Sequence, residues 1–250
     1  TAYEIPKRDW SSDVCSSDLN AVGVRYDYRS SREGQHPLEM LENFTGYLQV
    51  DGYSGYDNLF KTGQIIEVGC MAHARRKFTD IQKSAGKKAK LPVVEHVLNL
   101  IAKLYHLEKG FKEQALSHDQ ITQERQEKSQ ILLDKLHAYV TEQINKTPPQ
   151  GSLGKALQYV LNHWSPLTKY LENGKLDIDN NAAERCIKPF AVGRKNWLFC
   201  GNVNGAKAAA NIYSLIASAK IHDLKVFDPV LIISQPFQRF QETGSDWVSC

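Results

Sequence analysis

The sequence predicts an α/β fold interrupted by an all-helical segment, and three observations carry that prediction. Residues 21–84 alternate β-rich runs with short helical patterns, as expected of a mixed sheet that is at least partly parallel. Residues 85–172 lose the strand pattern and place apolar residues at helical spacing. Residues 173–225 return to short, bounded elements around an acidic stretch, so the helical segment reads as an insertion between two parts of one domain. A chain of 250 residues with 42% hydrophobic content can fill one large core or two smaller ones.

Residues 1–20 stand apart. The block Asp9-Trp-Ser-Ser-Asp-Val-Cys-Ser-Ser-Asp-Leu19 has neither strand nor helix period, and it matches the translation of a common sequencing adapter. It is read as non-native, so Asp9, Asp13 and Asp18 are not drafted into any site. The native start of the domain is then expected to be missing.

Residues 21–28 are expected to form a first strand, and residues 36–44 a short helix with Leu38, Leu41 and Phe44 on one side. Gly46 breaks that helix. Residues 47–50 form a second strand with Asp51-Gly52 at its C-terminal end. A short helix at 54–60, a third strand at 64–69 and a helix from Cys70 follow. In the helical segment Val94, Val97, Leu98, Ile101, Leu104 and Tyr105 keep one period, and Leu132, Leu136, Tyr139, Val140 and Ile144 another. Pro148-Pro149 interrupts, and a helix resumes at 153–161 towards Tyr170.

The stretch from Leu176 to Phe190 concentrates the polar chemistry. Asn180 or Asn181 is expected to cap a short helix, because a side-chain oxygen can accept from the free N–H groups of its first turn. Glu184 and Lys188 then lie one turn apart, and Pro189 is expected to end the helix. Asp179 reads as a residue of the helix start or as an accessory metal ligand. Further on, Ile212, Leu215, Ile216 and Ala219 are expected to form the apolar face of a late helix, and residues 226–250 read as a divergent tail.

A net charge of +3 argues only weakly for a polyanionic partner. The distribution says more. Arg75-Arg76-Lys77, Lys87-Lys88-Ala-Lys90 and Arg194-Lys195 are basic clusters, while Asp177, Asp179 and Glu184 supply local acid. Metal-dependent nucleic-acid chemistry needs cations to hold phosphate and carboxylates to hold metal. An ordinary solvated surface carries the same pattern. The five cysteines, at 15, 70, 186, 200 and 250, contain no Cys-x-x-Cys pair, which argues against a zinc knuckle or a disulfide framework and for reduced thiols. Cys70 and His73 have Cys-x-x-His spacing, but two ligands do not make a zinc site. A structural role near the sheet is expected for them, with contact of His73 to DNA or to an active-site carboxylate as the alternative. No apolar run approaches membrane-spanning length, and no signal-peptide pattern opens the chain.

Five stretches resemble the insertion-sequence-66 type of bacterial transposases. They are Tyr47-Leu-Gln-Val-Asp-Gly-Tyr-Ser-Gly-Tyr56, Gly69-Cys-Met-Ala-His-Ala-Arg-Arg-Lys-Phe78, Ile178-Asp-Asn-Asn-Ala-Ala-Glu-Arg185, Gly193-Arg-Lys-Asn-Trp-Leu-Phe199 and Asn211-Ile-Tyr-Ser-Leu-Ile216. The resemblance covers about residues 21–224, with Met71 where most members have Trp. It implies a ribonuclease-H-like catalytic domain in two parts, 21–84 and 173–225, flanking a helical insertion at 85–172. It implies an Asp-Asp-Glu active site in which Asp51 is the second acidic residue and Glu184 the third, both catalytic and both ligands of Mg²⁺ or Mn²⁺ in a two-metal site. The first acidic residue belongs to an Asp-Glu-Thr-type motif on an earlier strand, and residues 1–250 do not contain it. The chain is therefore expected to be inactive by itself. The implied partner is DNA, contacted through Arg75, Arg76, Lys77, Lys188, Arg194 and Lys195, by a homo-oligomer in the bacterial cytoplasm with no membrane involved. A ribonuclease-H-like nuclease and a non-enzymatic DNA-binding remnant remain the alternative readings.

Overall fold

The structure is a computed structural model, and it describes residues 23–29, 31, 33–86, 89–197, 202–222, 224 and 248–249. The adapter-like block, Lys87, Lys88 and the β-rich patch at 230–233 lie outside them. The chain is mixed α/β and mostly helical, with two small parallel sheets among the described residues. It divides into two compact units, Arg29–Asn181 and a second built from Thr1–Tyr28 with Ala182–Cys250.

In the unit Arg29–Asn181, strands β2 (Gly46–Gln49) and β3 (Ile65–Val68) pair in parallel, with Leu48 opposite Glu67 and Gln49 opposite Val68. The Val50 N–H donates to the Val68 carbonyl at 2.9 Å, which carries the pairing up to Asp51. Between the strands run a 3-10 turn at Ser54–Tyr56 and helix α2 (Asp57–Phe60), while α1 (Gln35–Met40) precedes β2. The two faces of the pair serve two cores, because side chains alternate along a strand. Leu48, Val50, Leu59 and Ile65 pack with Leu38, Leu41 and Phe44 on one side. Val68 and Tyr47 join the larger core on the other.

That larger core is helical. Helix α3 (Met71–Ala85) buries Met71, Ala74 and Phe78, one stripe at helical spacing, and stops at Gly86, whose φ of +83° suits glycine. Helix α4 (Pro92–Glu113) opens with proline in its first turn, where no N–H is required. Helix α5 (His118–Glu124) is held by a capping box in which Ser117 and Gln120 each accept from the other's backbone N–H. A π-helical turn, Arg125–Ser129, leads into α6 (Gln130–Ile144), then α7 (Ser152–Asn162), α8 (Trp164–Thr168) and a 3-10 turn at Lys169–Glu172. Val94, Val97, Ile101, Leu104, Leu133, Leu136 and Val140 meet Val68, Met71 and Phe78 in one continuous cluster. The helices after α3 thus share the hydrophobic core that begins on β3.

One charged pair is buried there. Arg125 and Glu108, 2% and 8% exposed, make two parallel hydrogen bonds, Nε to Oε1 at 2.9 Å and Nη2 to Oε2 at 2.7 Å. Arg125 Nη1 also donates to the carbonyls of Tyr170 at 2.7 Å and Asn173 at 3.0 Å. The guanidinium stands 5.0 Å from the Tyr170 ring centroid.

In the second unit β1 (Val24–Arg25) is shorter than the strand expected at 21–28 and pairs in parallel with β4 (Val248–Ser249). The reason lies far along the chain: helix α10 (Val203–Ile221) supplies serine hydroxyls to the β1 backbone. Ser218 Oγ accepts from Val24 N–H at 2.9 Å, and Ser214 Oγ from Tyr26 N–H at 2.8 Å. The same bonds set the face of α10 that is covered. Ala206 and Ala210 are buried, and Tyr213, Ala217 and Ile221 pack towards Val24 and Tyr26. The apolar face expected at Ile212 and Leu215 is instead exposed.

Helix α9 (Asn181–Trp197) corrects another expectation, since it runs through Pro189. A proline inside a helix forfeits one rung of the ladder at a cost of about 3 kcal/mol. That is a tax on the helix and not a stop, and here the rungs on either side carry it on.

Candidate active site

Asp51 is the first residue beyond the parallel pair, and it is exposed. Its Oδ1 accepts from the Tyr53 N–H at 3.1 Å, a turn that fixes the start of the following loop. Gly52 has φ of +79°, which a side chain would resist. A Cβ there would also stand 3.1 Å from Tyr159 Oη and 3.2 Å from His163 Nε2.

Those two neighbours come from the end of α7. The Tyr159 hydroxyl reaches to within 3.4 Å of the Asp51 carbonyl, its acceptor. His163 stacks on Tyr159 with centroids 4.2 Å apart and rings 25° from parallel. Its Nδ1 lies 2.9 Å from the Tyr159 carbonyl, which can only accept, so Nδ1 is the donor of that bond and Nε2 faces the Gly52 side. Lys77 Nζ stands 4.9 Å from the centroid of the Tyr159 ring. Burial, assisted by the Cys70, Asp51 and Glu67 charges, pushes the Tyr159 hydroxyl up to about 12, so it remains a donor at working pH. Nothing in the spacing of Tyr159 or His163 pointed to this role, because each looks like part of a helical stripe.

Glu67 is half-buried on β3. Desolvation raises its carboxyl above the ordinary value, His163 opposes that shift, and Asp57 adds to it. A raised carboxyl costs folding free energy where it is ionised, and the cost fades as pH falls through its folded value. Glu67→Gln is therefore expected to raise the thermal midpoint slightly at pH 7, with the gain shrinking towards pH 4. Melting curves of both proteins at the two pH values check this, and a gain that grows in acid would contradict it.

On the same unit, Asp179 is fully occupied. Its Oδ1 accepts from the Asn181 N–H at 3.0 Å, and its Oδ2 from Tyr105 Oη at 2.6 Å and Asn181 Nδ2 at 2.7 Å. Asp179 thus holds the first N–H of α9, a part that the sequence had assigned to Asn180 or Asn181. Cys70 is buried, its Sγ 3.4 Å from the Asn180 N–H, and burial pushes its thiol up to about 11. His73 Nε2 lies 3.5 Å from Arg76 Nη1. Arg75, Arg76 and Lys77 are all exposed on α3. They fan around the helix: Arg76 lies beside His73, and Lys77 over Tyr159.

In the second unit, Glu184 sits in the first turn of α9, half-buried, with Lys188 one turn on. Arg194 and Lys195 belong to the same helix, and their side chains lie outside the described residues. Among the described residues no three His, Cys, Asp or Glu side chains gather to hold an ion. Asp51 lies in the first unit and Glu184 in the second, and each offers the hard oxygens that Mg²⁺ prefers.

A model of the Transposase IS66 family matches residues 7–208. The chain belongs to that family. The IS66 match starts at residue 7, just ahead of the block read as adapter-derived, and ends within α10. Relatives of this IS66-family chain include the uncharacterized protein y4jD of Sinorhizobium fredii (strain NBRC 101917 / NGR234), 34% identical over 86% of this chain and 42% of the relative. The uncharacterized protein y4hP of the same organism is 31% identical over 80% of this chain and 38% of its own length. The chain spans about two fifths of these relatives. No solved structure matches it. No described helix is long and apolar enough to cross a membrane.

Proposed function

We propose that this chain is a catalytic portion of a DNA transposase with a ribonuclease-H-like core, which cleaves phosphodiesters and joins transposon ends to target DNA. The observation that supports it best is the setting of Asp51 in a chain of a transposase family. The carboxylate is presented to solvent immediately past a buried parallel pair, on a loop fixed from behind by Tyr159 and His163. A group that must meet a phosphodiester with little freedom benefits from such a mount. Glu184, in the first turn of α9, is the third acidic residue of the proposed Asp-Asp-Glu set. Mg²⁺ or Mn²⁺ belongs to the intact enzyme, with these two residues among the ligands. The partner is DNA, and a homo-oligomer is the acting form.

Exposed Arg75, Arg76 and Lys77, with Lys188, Arg194 and Lys195, are the proposed phosphate contacts. Because the first acidic motif is not in the sequence, this polypeptide is expected not to nick DNA; the binding proposed for it rests on phosphate contacts and has little sequence preference. Binding by the 250-residue chain should fall steeply with salt. Lys77→Ala should lower the slope of log K against log salt by about one. In an intact transposase of the family carrying these residues, Asp51→Asn and Glu184→Gln should each abolish transposition while leaving DNA binding in place. Full transposition by either variant would overturn the assignment, and Mg²⁺-dependent nicking by the present chain would overturn its inactivity.

A further inference from the structure

Asp51 also forms part of the wall of a cavity of about 420 Å³, together with Ser31, Glu33, His36, Tyr53 and Tyr56. We propose that this cavity receives one unpaired nucleobase of a DNA strand whose backbone passes Asp51. The proposal rests on the reading of the chain as a DNA-processing domain and names what its site takes from the DNA.

The walls are suited to a flat ligand with apolar faces and polar edges. The Tyr53 and Tyr56 rings lie 5.7 Å apart at 87°, packed edge to face, so each braces the other. A base laid on the exposed Tyr53 ring stacks on it, a favourable arrangement for aromatic systems. Tyr53 is 39% exposed, a large ring kept at the surface beside a carboxylate. The remaining wall is polar. Ser31 Oγ and His36 Nε2 lie 2.8 Å apart, and His36 Nδ1 is buried without a hydrogen-bond partner, its nearest carboxylate oxygen being Glu39 Oε2 at 4.0 Å.

Charge decides which part of a nucleotide enters. Glu33 and Asp51 are both acidic, so a phosphate inside the cavity would be repelled. A neutral base with exocyclic amines is not repelled, and its phosphate is left outside. The volume lies at the small end of the range of roughly 300–1,000 Å³ common for ligand pockets, enough for one nucleotide. A base within a duplex has both faces covered by its neighbours, so only an unpaired or extruded base can stack on this ring.

The test compares two duplexes that differ by one unpaired 2-aminopurine, without divalent metal and at low salt. The full chain should bind the bulged duplex at least about fivefold more tightly, as expected for one base stacked on an aromatic ring, and 2-aminopurine fluorescence should change on binding. Tyr53→Ala should remove that preference while leaving affinity for the paired duplex within about twofold, and Tyr53→Phe should keep it, since the ring and not the hydroxyl does the stacking. Equal affinity of the wild type for the two duplexes overturns the proposal, as does a preference that survives Tyr53→Ala. Absence of binding to either duplex would overturn the DNA reading itself, and the pocket with it.

Discussion

Arg125→Met is expected to destabilise the unit Arg29–Asn181 by about 3–5 kcal/mol, the usual range for removing one partner of a buried ion pair. The substitution leaves the Glu108 carboxylate buried without its two donors, and the carbonyls of Tyr170 and Asn173 without theirs. Methionine restores volume but none of these hydrogen bonds. An effect of this size consumes much of the stability of an ordinary domain, so the variant should melt early or fail to fold. The double variant Glu108→Leu/Arg125→Met should recover part of the loss, because it removes the stranded charge, although the two carbonyls stay unmatched. Urea unfolding followed by circular dichroism measures all three proteins. A single variant as stable as the wild type, or a double variant no better than the single, would show that the pair is not what holds this region.

Gly52→Ala is expected to lower transposition by an intact family enzyme about 100-fold, the loss that follows from misplacing a reacting group by roughly an ångström. Two causes act together. The φ of +79° costs an alanine about 1–2 kcal/mol. The new Cβ would also press on Tyr159 Oη and His163 Nε2 at 3.1 and 3.2 Å. The loop is exposed, so the chain should relieve the contact by shifting Asp51 and not by unfolding. Tyr159→Phe removes the closest atom, and in that background Gly52→Ala should be less damaging. Wild-type transposition by Gly52→Ala would show that Asp51 does not need this mount.

The elements that were legible in the sequence are those whose local chemistry agrees with their surroundings. The strands at 47–50 and 64–69, the short helix after Gly52 and the helix after Cys70 all occur, because alternation, breakers and helical stripes point the same way there. The period of Val94 to Leu104 likewise marks residues that are buried. What was not legible depends on partners distant in the chain. Ser214 and Ser218 take over backbone donors near β1, and that turns Ile212 and Leu215 of α10 outward. Pro189 looked like a terminus because sequence shows the lost donor but not the rungs that persist. Asp51 was visible from its strand end and from the family motif. Tyr159 and His163 were not, since the contact with Asp51 spans 108 positions and an aromatic on a helix usually means core.

The continuity of the core across β3, α3 and the later helices bears on how this protein can be cut. A shortened chain made by joining residue 85 to residue 173 would keep the family motifs and remove most of what covers Val68, Met71 and Phe78. It would also discard the tyrosine and histidine behind Gly52. The cut would strip cover from β3 and α3, so the shortened chain should aggregate. Variation in chain length belongs at the turns between these helices, where an insertion lengthens a surface loop and leaves the interior in place.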